Sequence, residues 1–243
     1  MYNLCPYKFR NMDSGNIYVL DFKRKDINGD FIEDNIFLIG QKSFGIESPY
    51  VDNITLIVQD GKSNEFFSIT PKQNSGYNPR LFVGDFTGDK KSDILISIDS
   101  GGSGGLAYYY IYSFINNTFI KIFDYEEFNK KYNYKVIYID FYQVIVSGSN
   151  SQRYTIDIKY KGKEYLSEIY DSNGKLKEPI EGWVNPLGGL YPVDFDGDGI
   201  FDLYAMQRIA GRYNADALGY VQTSLKWKEK DFTPFFQTVG IFG

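Results

Sequence analysis

Three stretches of the chain, DINGDFIED at 26–34, DFTGDKKSD at 85–93 and DFDGDGIFD at 194–202, carry oxygen-bearing side chains at positions 1, 3, 5 and 9 and glycine at position 4. Their spacing limits the fold more than any other feature. The loops start at Asp26, Asp85 and Asp194, and the second interval is nearly twice the first. Halfway between the later two lies KVIYIDFYQVIVSG, where Asp140 follows an apolar run as Asp85 follows RLFVG and Asp194 follows GLYPV, without the acidic loop. Four starts at 26, 85, 140 and 194 are 59, 55 and 54 residues apart. Self-similarity at such a period signals a repeat architecture.

Each repeat reads as four short strands of apolar, β-branched and aromatic residues bounded by turn residues. They are NIYVLDF, NIFLIG, NITLIVQD and EFFSIT; then RLFVGDF, DILISI, LAYYYIYSF and TFIKIF; then KVIYID, QVIVSG, YTIDIKY and EYLSEIY; then GLYPVDF, LYAMQRI, ALGYVQTSLKW and FTPFFQTV. The expected fold is all-β: a small β-propeller of four blades, each of four antiparallel strands, with the acidic loop joining the first strand of a blade to the second. It occupies 1–243 as a single domain, with repeats at about 16–70, 79–124, 134–172 and 188–243.

Carboxylates this close repel one another, and a cation would resolve the conflict; the bland alternative is a solvated Asp/Gly turn. Oxygen donors at positions 1, 3, 5 and 9 with a backbone carbonyl at position 7 suit Ca²⁺, whereas Mg²⁺ keeps more of its water. The candidate ligands are Asp26, Asn28, Asp30, Ile32 and Asp34; Asp85, Thr87, Asp89, Lys91 and Asp93; and Asp194, Asp196, Asp198, Ile200 and Asp202. Ile32, Lys91 and Ile200 enter through their carbonyls. An EF-hand is excluded, because position 12 is Phe37, Ile96 or Ala205 where a bidentate acid is needed, and strands rather than helices flank the loops. Three divalent ions would shift the formal charge from −5 to about +1.

These loops, D-x-[DNT]-G-D-x-x-x-D between strands at a period of fifty-odd residues, resemble the FG-GAP or VCBS repeats of integrin-type propellers. The likeness runs in phase from about residue 16 to the C-terminus. SGYNPRLFVGDFTGD, DSGGSGG and QRIAGRYNADALGYVQ are also similar to short VCBS-repeat proteins of spore-forming Gram-positive bacteria. The resemblance implies ions that brace blades, with binding left to other loops. Departures from the pattern rank the sites: the fourth-repeat loop, with four carboxylates and Gly199 at position 6, is expected to bind tightest. The first has Phe31 at position 6; the second, with neutral Thr87 and the cations Lys90 and Lys91, is expected to be weakest. The third repeat is expected to be empty.

The chain contains no histidine, which excludes Ser-His-Asp and Cys-His catalysis and His-ligated zinc. A net charge of −5 argues against non-specific nucleic-acid binding. The uncharged stretch 100–120 is broken by SGGSGG and Asn116–Asn117, so no membrane span is expected. Cys5 is the single cysteine and cannot form an intrachain disulfide, and the first residues carry no apolar signal-peptide core. The glycine run of SIDSGGSGG is followed by neither a helix nor a Lys-Ser/Thr pair, so it reads as a strand connection rather than a phosphate cradle. An acid pair of the glycosidase kind could come only from Asp124, Glu126, Glu127 and Glu181.

One polar constellation remains, Gln207, Arg208, Arg212, Tyr213, Asn214 and Asp216 in QRIAGRYNADALGY. An Arg fork beside an Asn amide matches sugar hydroxyls or carboxylates. The structural alternative is ring closure, with Arg and Asp satisfying each other beside the first blade. SFGIESPYVDN and SGGSGGLAYY are expected on the same side. The expected function is therefore a calcium-stabilised, non-catalytic module that binds a surface glycan or protein. The alternatives are a polysaccharide lyase or hydrolase without histidine chemistry, and a structural coat component. Loops of this calcium-binding strength favour an extracellular or spore-surface setting; the missing signal peptide keeps the cytoplasm open.

Overall fold

A computed structural model describes residues 17–148 and 152–241; Cys5 and the rest of 1–16 lie outside them. The chain is all-β, with sixteen strands and two short α-helices among the described residues. The first unit comprises β1 (Ile17–Lys25), β2 (Asp34–Gln41), β3 (Tyr50–Gln59) and β4 (Phe66–Ile69), paired antiparallel in chain order. The second repeats this with β5 (Gly76–Gly84), β6 (Asp93–Asp99), β7 (Ala107–Ile115) and β8 (Thr118–Asp124). So does the fourth, with β13 (Gly189–Val193), β14 (Asp202–Ala210), β15 (Ala217–Lys228) and β16 (Asp231–Gly240). In all three the acidic loop joins the first strand to the second.

The third unit departs from this plan. It holds β9 (Tyr134–Ile139), β10 (Gln143–Gly148) and β11 (Arg153–Asp157), but EYLSEIY, expected as a strand, is the helix α2 (Gly162–Ile169). Tyr165, Leu166 and Ile169 stand at i, i+1 and i+4, which is one face of a helix, and that face joins the core cluster that also holds Val136, Tyr138 and Val144. The fourth strand is β12 (Glu181–Val184), added beside β9. A further helix, α1 (Tyr125–Lys131), follows the second unit. Asp124 caps it by accepting the Glu126 amide at 2.8 Å, with Glu126 and Glu127 in the first turn and Lys130 and Lys131 in the last, as the helix dipole favours.

Strand pairing merges the units into two eight-stranded antiparallel sheets. β3 meets β5 through Tyr50↔Tyr77 and Val51↔Gly76, and β12 meets β14 through Trp183↔Ala210 and Val184↔Ile209. The main core draws on units one, two and four, from Ile27 and Leu56 through Phe86 and Tyr110 to Leu203 and Phe232. A second core joins units three and four through Val136, Tyr138, Ile209 and Val221. Contacts therefore run first to second, second to fourth and fourth to third. Phe201 lies against Phe82 and Phe86, and its amide donates to the Asp85 carbonyl at 2.7 Å.

Candidate functional site

The three acidic loops share one backbone. Position 4 has positive φ at Gly29 (84°), Gly88 (77°) and Gly197 (72°), and so does position 6 at Phe31 (67°), Lys90 (67°) and Gly199 (85°). The first Asp imposes this bend by accepting the amides of positions 4 and 6. Asp26 takes those of Gly29 and Phe31 at 2.7 and 2.9 Å, Asp85 those of Gly88 and Lys90 at 2.6 and 2.8 Å, and Asp194 those of Gly197 and Gly199 at 2.7 and 2.9 Å. Position 5 repeats as well: Asp30, Asp89 and Asp198 each accept the amide two residues on at 2.9 Å. In the first loop, Asn28 donates to Asp60 at 2.8 Å.

The position-9 acids Asp34, Asp93 and Asp202 are buried where the second strand begins. Burial raises the pKa of all three, most clearly for Asp93, which is pushed up to about 6 despite hydrogen bonds from the Phe86 amide and Ser113 hydroxyl. Exposed Asp194 moves the other way, lowered by the amides of Gly199, Gly197 and Asp198. These hard oxygen donors are the right type for calcium. Among the described residues, however, no three Asp, Glu, His or Cys side chains gather around one point a metal could occupy. In the fourth loop Lys226 already pairs with Asp196.

The loops also stack on one another. A Cβ at Gly29 would lie 2.9 Å from Lys91 Cε, and one at Gly88 would lie 3.0 Å from Ile200 Cδ1. The second loop thus sits between the first and fourth. In the third unit the loop is replaced by a three-residue turn, with Phe141 and Tyr142 both at φ 64° and Asp140 accepting the Leu176 amide at 2.9 Å.

The polar constellation of the fourth unit divides. Arg208 Nη2 donates to Asn214 Oδ1 at 2.9 Å and to the Ser103 carbonyl at 3.3 Å, while Asn214 reaches Ser103 Oγ at 3.3 Å. These two residues face the glycine-rich loop, as expected. Gln207 instead lies in the interior, donating to the Tyr132 and Asn185 carbonyls at 3.0 and 3.3 Å. Arg212 and Asp216 close against the third unit, not the first. Arg212 pairs with Glu168 at 2.8 Å, and Asp216 accepts from Lys161 Nζ at 2.8 Å, Tyr165 at 2.6 Å and the Arg212 amide at 3.0 Å. Helix α2 supplies both Glu168 and Tyr165, so misreading it as a strand concealed their partners. Tyr213 is exposed, with the Arg212 guanidinium 6.0 Å from its ring centre.

A pocket of about 190 Å³ opens beside Arg208, walled by backbone of Gly104, Gly105, Gly188 and Gly189 and by Tyr191 and Tyr220. Part of its wall comes from WVNPLGGLY, of which only the strand start GLY was singled out from the sequence. The Pro186 and paired glycines there were the available signal, since a side-chain-free backbone admits a close neighbour. Gly105 lies so near that a Cβ at Gly188 would stand 2.6 Å from its carbonyl oxygen. SFGIESPYVDN reaches the same side through Tyr50, whose ring packs on Tyr77. The Tyr77 ring in turn covers Gly101. Of the candidate acids, Asp124 caps α1 and pairs with Lys121, Glu126 pairs with Lys72 and Glu181 lies near Lys135.

Residues 132–240 match the YybI C-terminal domain family. Nearly the whole chain, 98%, aligns at 49% identity over 239 residues with 90% of the uncharacterized protein YybI of Bacillus subtilis (strain 168). No solved structure matches. With identity of this level along nearly its entire length, the chain belongs to the YybI family.

Proposed function

We propose that this protein is a calcium-braced, non-catalytic binding module whose ligand site is the pocket between the glycine-rich loop of the second unit and the fourth unit. Arg208 carries the reading. It is half-buried, has no carboxylate partner among the described residues, and its Nε is buried without a hydrogen bond. A buried donor left unsatisfied costs about 1–3 kcal/mol, which a ligand oxygen would recover. Backbone walls and tyrosine faces around a planar cation suit a glycan or a protein segment that presents hydroxyls or a carboxylate.

Calcium is supported by the common backbone of the three loops and by the burial of like-charged acids at position 9. The four-bladed propeller rests on the three units that pair four strands in chain order around a common loop position, and on the third, where β12 supplies the fourth strand; the first–second–fourth–third order of contacts is what that reading must accommodate. A calcium-rich exterior or spore surface follows from the calcium proposal. The test is an array of neutral and uronate-containing glycans, probed with wild type and Arg208→Gln in calcium and in chelator. Selective binding to acidic glycans, lost in Arg208→Gln at unchanged melting temperature, is expected. Binding that ignores Arg208, or products released from polysaccharide, would refute it.

A further inference from the structure

A cleft of about 580 Å³, which Arg208 does not line, lies between β8, the first turn of α1 and the β15–β16 turn. Five consecutive residues of β8, Ile120 to Asp124, line it. Side chains alternate between the faces of a strand, so an unbroken run of lining residues means that the cleft follows the edge of β8. That edge is open: β8 ends its sheet and pairs with β7 alone. Its outward N–H and C=O groups form a template for another strand.

Charge selects the occupant. Glu127 and Glu229 line the cleft with no salt bridge among the described residues, whereas Asp124 and Asp231 are paired with Lys121 and Lys131. Of the two cations that line it, Lys121 is paired with Asp124, and Lys230 has no carboxylate partner among the described residues. An adjoining recess of about 120 Å³ shares Ile122, Phe123, Asp124, Glu127 and Asp231 with the cleft, and Lys131, held by Asp231, also lines it. Tyr132 lines this recess; it is 5% exposed, and its buried hydroxyl has no hydrogen-bond partner. Phe128, Leu225 and Phe232 supply apolar walls. A lysine side chain has the matching form, a methylene stem for apolar walls and an ammonium for a phenol oxygen and carboxylates.

We infer that the β8 edge accepts an extended, lysine-bearing peptide of a partner protein by strand addition, with one lysine entering the Tyr132 recess. Five strand residues span about 17 Å, enough to set a register. Main-chain pairing supplies affinity, and the recess supplies specificity. A second copy of this chain would bring two acidic rims together.

The probe is a short fluorescent peptide of alternating Val and Lys, titrated into the full chain by anisotropy. Saturable binding is expected, weakened about tenfold or more when alternate peptide amides are methylated or when Glu replaces Lys. Tyr132→Phe and Glu127→Gln, checked for unchanged melting temperature, should each weaken it several-fold, and the Arg208→Gln variant should bind as wild type. Absence of binding, equal affinity for the methylated peptide, indifference to both cleft variants, or self-association through this edge would each overturn the inference.

Discussion

Asp216 ties the fourth unit to the third, and removing it should expose how much that tie contributes. Its carboxylate is 3% exposed and accepts from the Lys161 ammonium, the Tyr165 hydroxyl and the Arg212 amide. Asp216→Ala leaves a largely buried ammonium and a half-buried phenol without their acceptor. Breaking a buried pair on one side costs about 3–5 kcal/mol. For a chain of this size that corresponds to a fall in melting temperature of about 6–20 °C. Burial alone would raise the Asp216 pKa, but the Lys161, Tyr165 and Arg212 hydrogen bonds outweigh it and hold the pKa below the ordinary value. A folded-state pKa below the unfolded one gives stability that is present above the unfolded pKa, near 4, and is lost as pH falls through the folded value. The gap between wild type and Asp216→Ala should therefore narrow below about pH 4. Urea unfolding of wild type, Asp216→Ala, Lys161→Met and the double variant, repeated down the pH range, measures both effects. A cost below about 1 kcal/mol, or a gap that does not change with pH, would refute the account of Asp216 as a buried, charge-paired anchor.

Calcium should raise the melting temperature of wild type relative to chelator; the gain is about 2.7 kcal/mol when free calcium is a hundredfold above the dissociation constant. Asp198→Ala should remove much of that gain and Thr87→Ala less, and equal shifts in all three proteins by differential scanning fluorimetry would leave the loops as acidic turns. Phe86, fully buried, meets Phe82, Phe201 and Phe232, so Phe86→Ala should cost about 3–5 kcal/mol in denaturant unfolding by opening a cavity where the second unit packs on the fourth.

Strands and loops were legible because their determinants are local. Short apolar, β-branched and aromatic runs such as DILISI and LAYYYIYSF became β6 and β7, and the Asp-x-x-Gly bend is set by an Asp accepting amides three and five residues away. The shortened third loop could be read for the same reason. EYLSEIY was misread because a seven-residue segment carries too little pattern to separate a strand from two turns of helix, and its place in the core cluster with Val136, Tyr138 and Val144 decided the matter. Non-local arrangement was left to tertiary structure. Nothing in the spacing of four similar units says which ones touch, because that choice is made by apolar faces such as Phe86 against Phe201 and Phe232, far apart in the chain. The same packing divided the polar constellation: Arg208 and Asn214 stand at the glycine-rich loop, while Asp216 lies in the interior against Lys161 and Tyr165. Sequence supplied the side-chain chemistry and local bends of this protein; burial and long-range contact decided which of its charges were neutralised inside the fold and which were left facing a pocket.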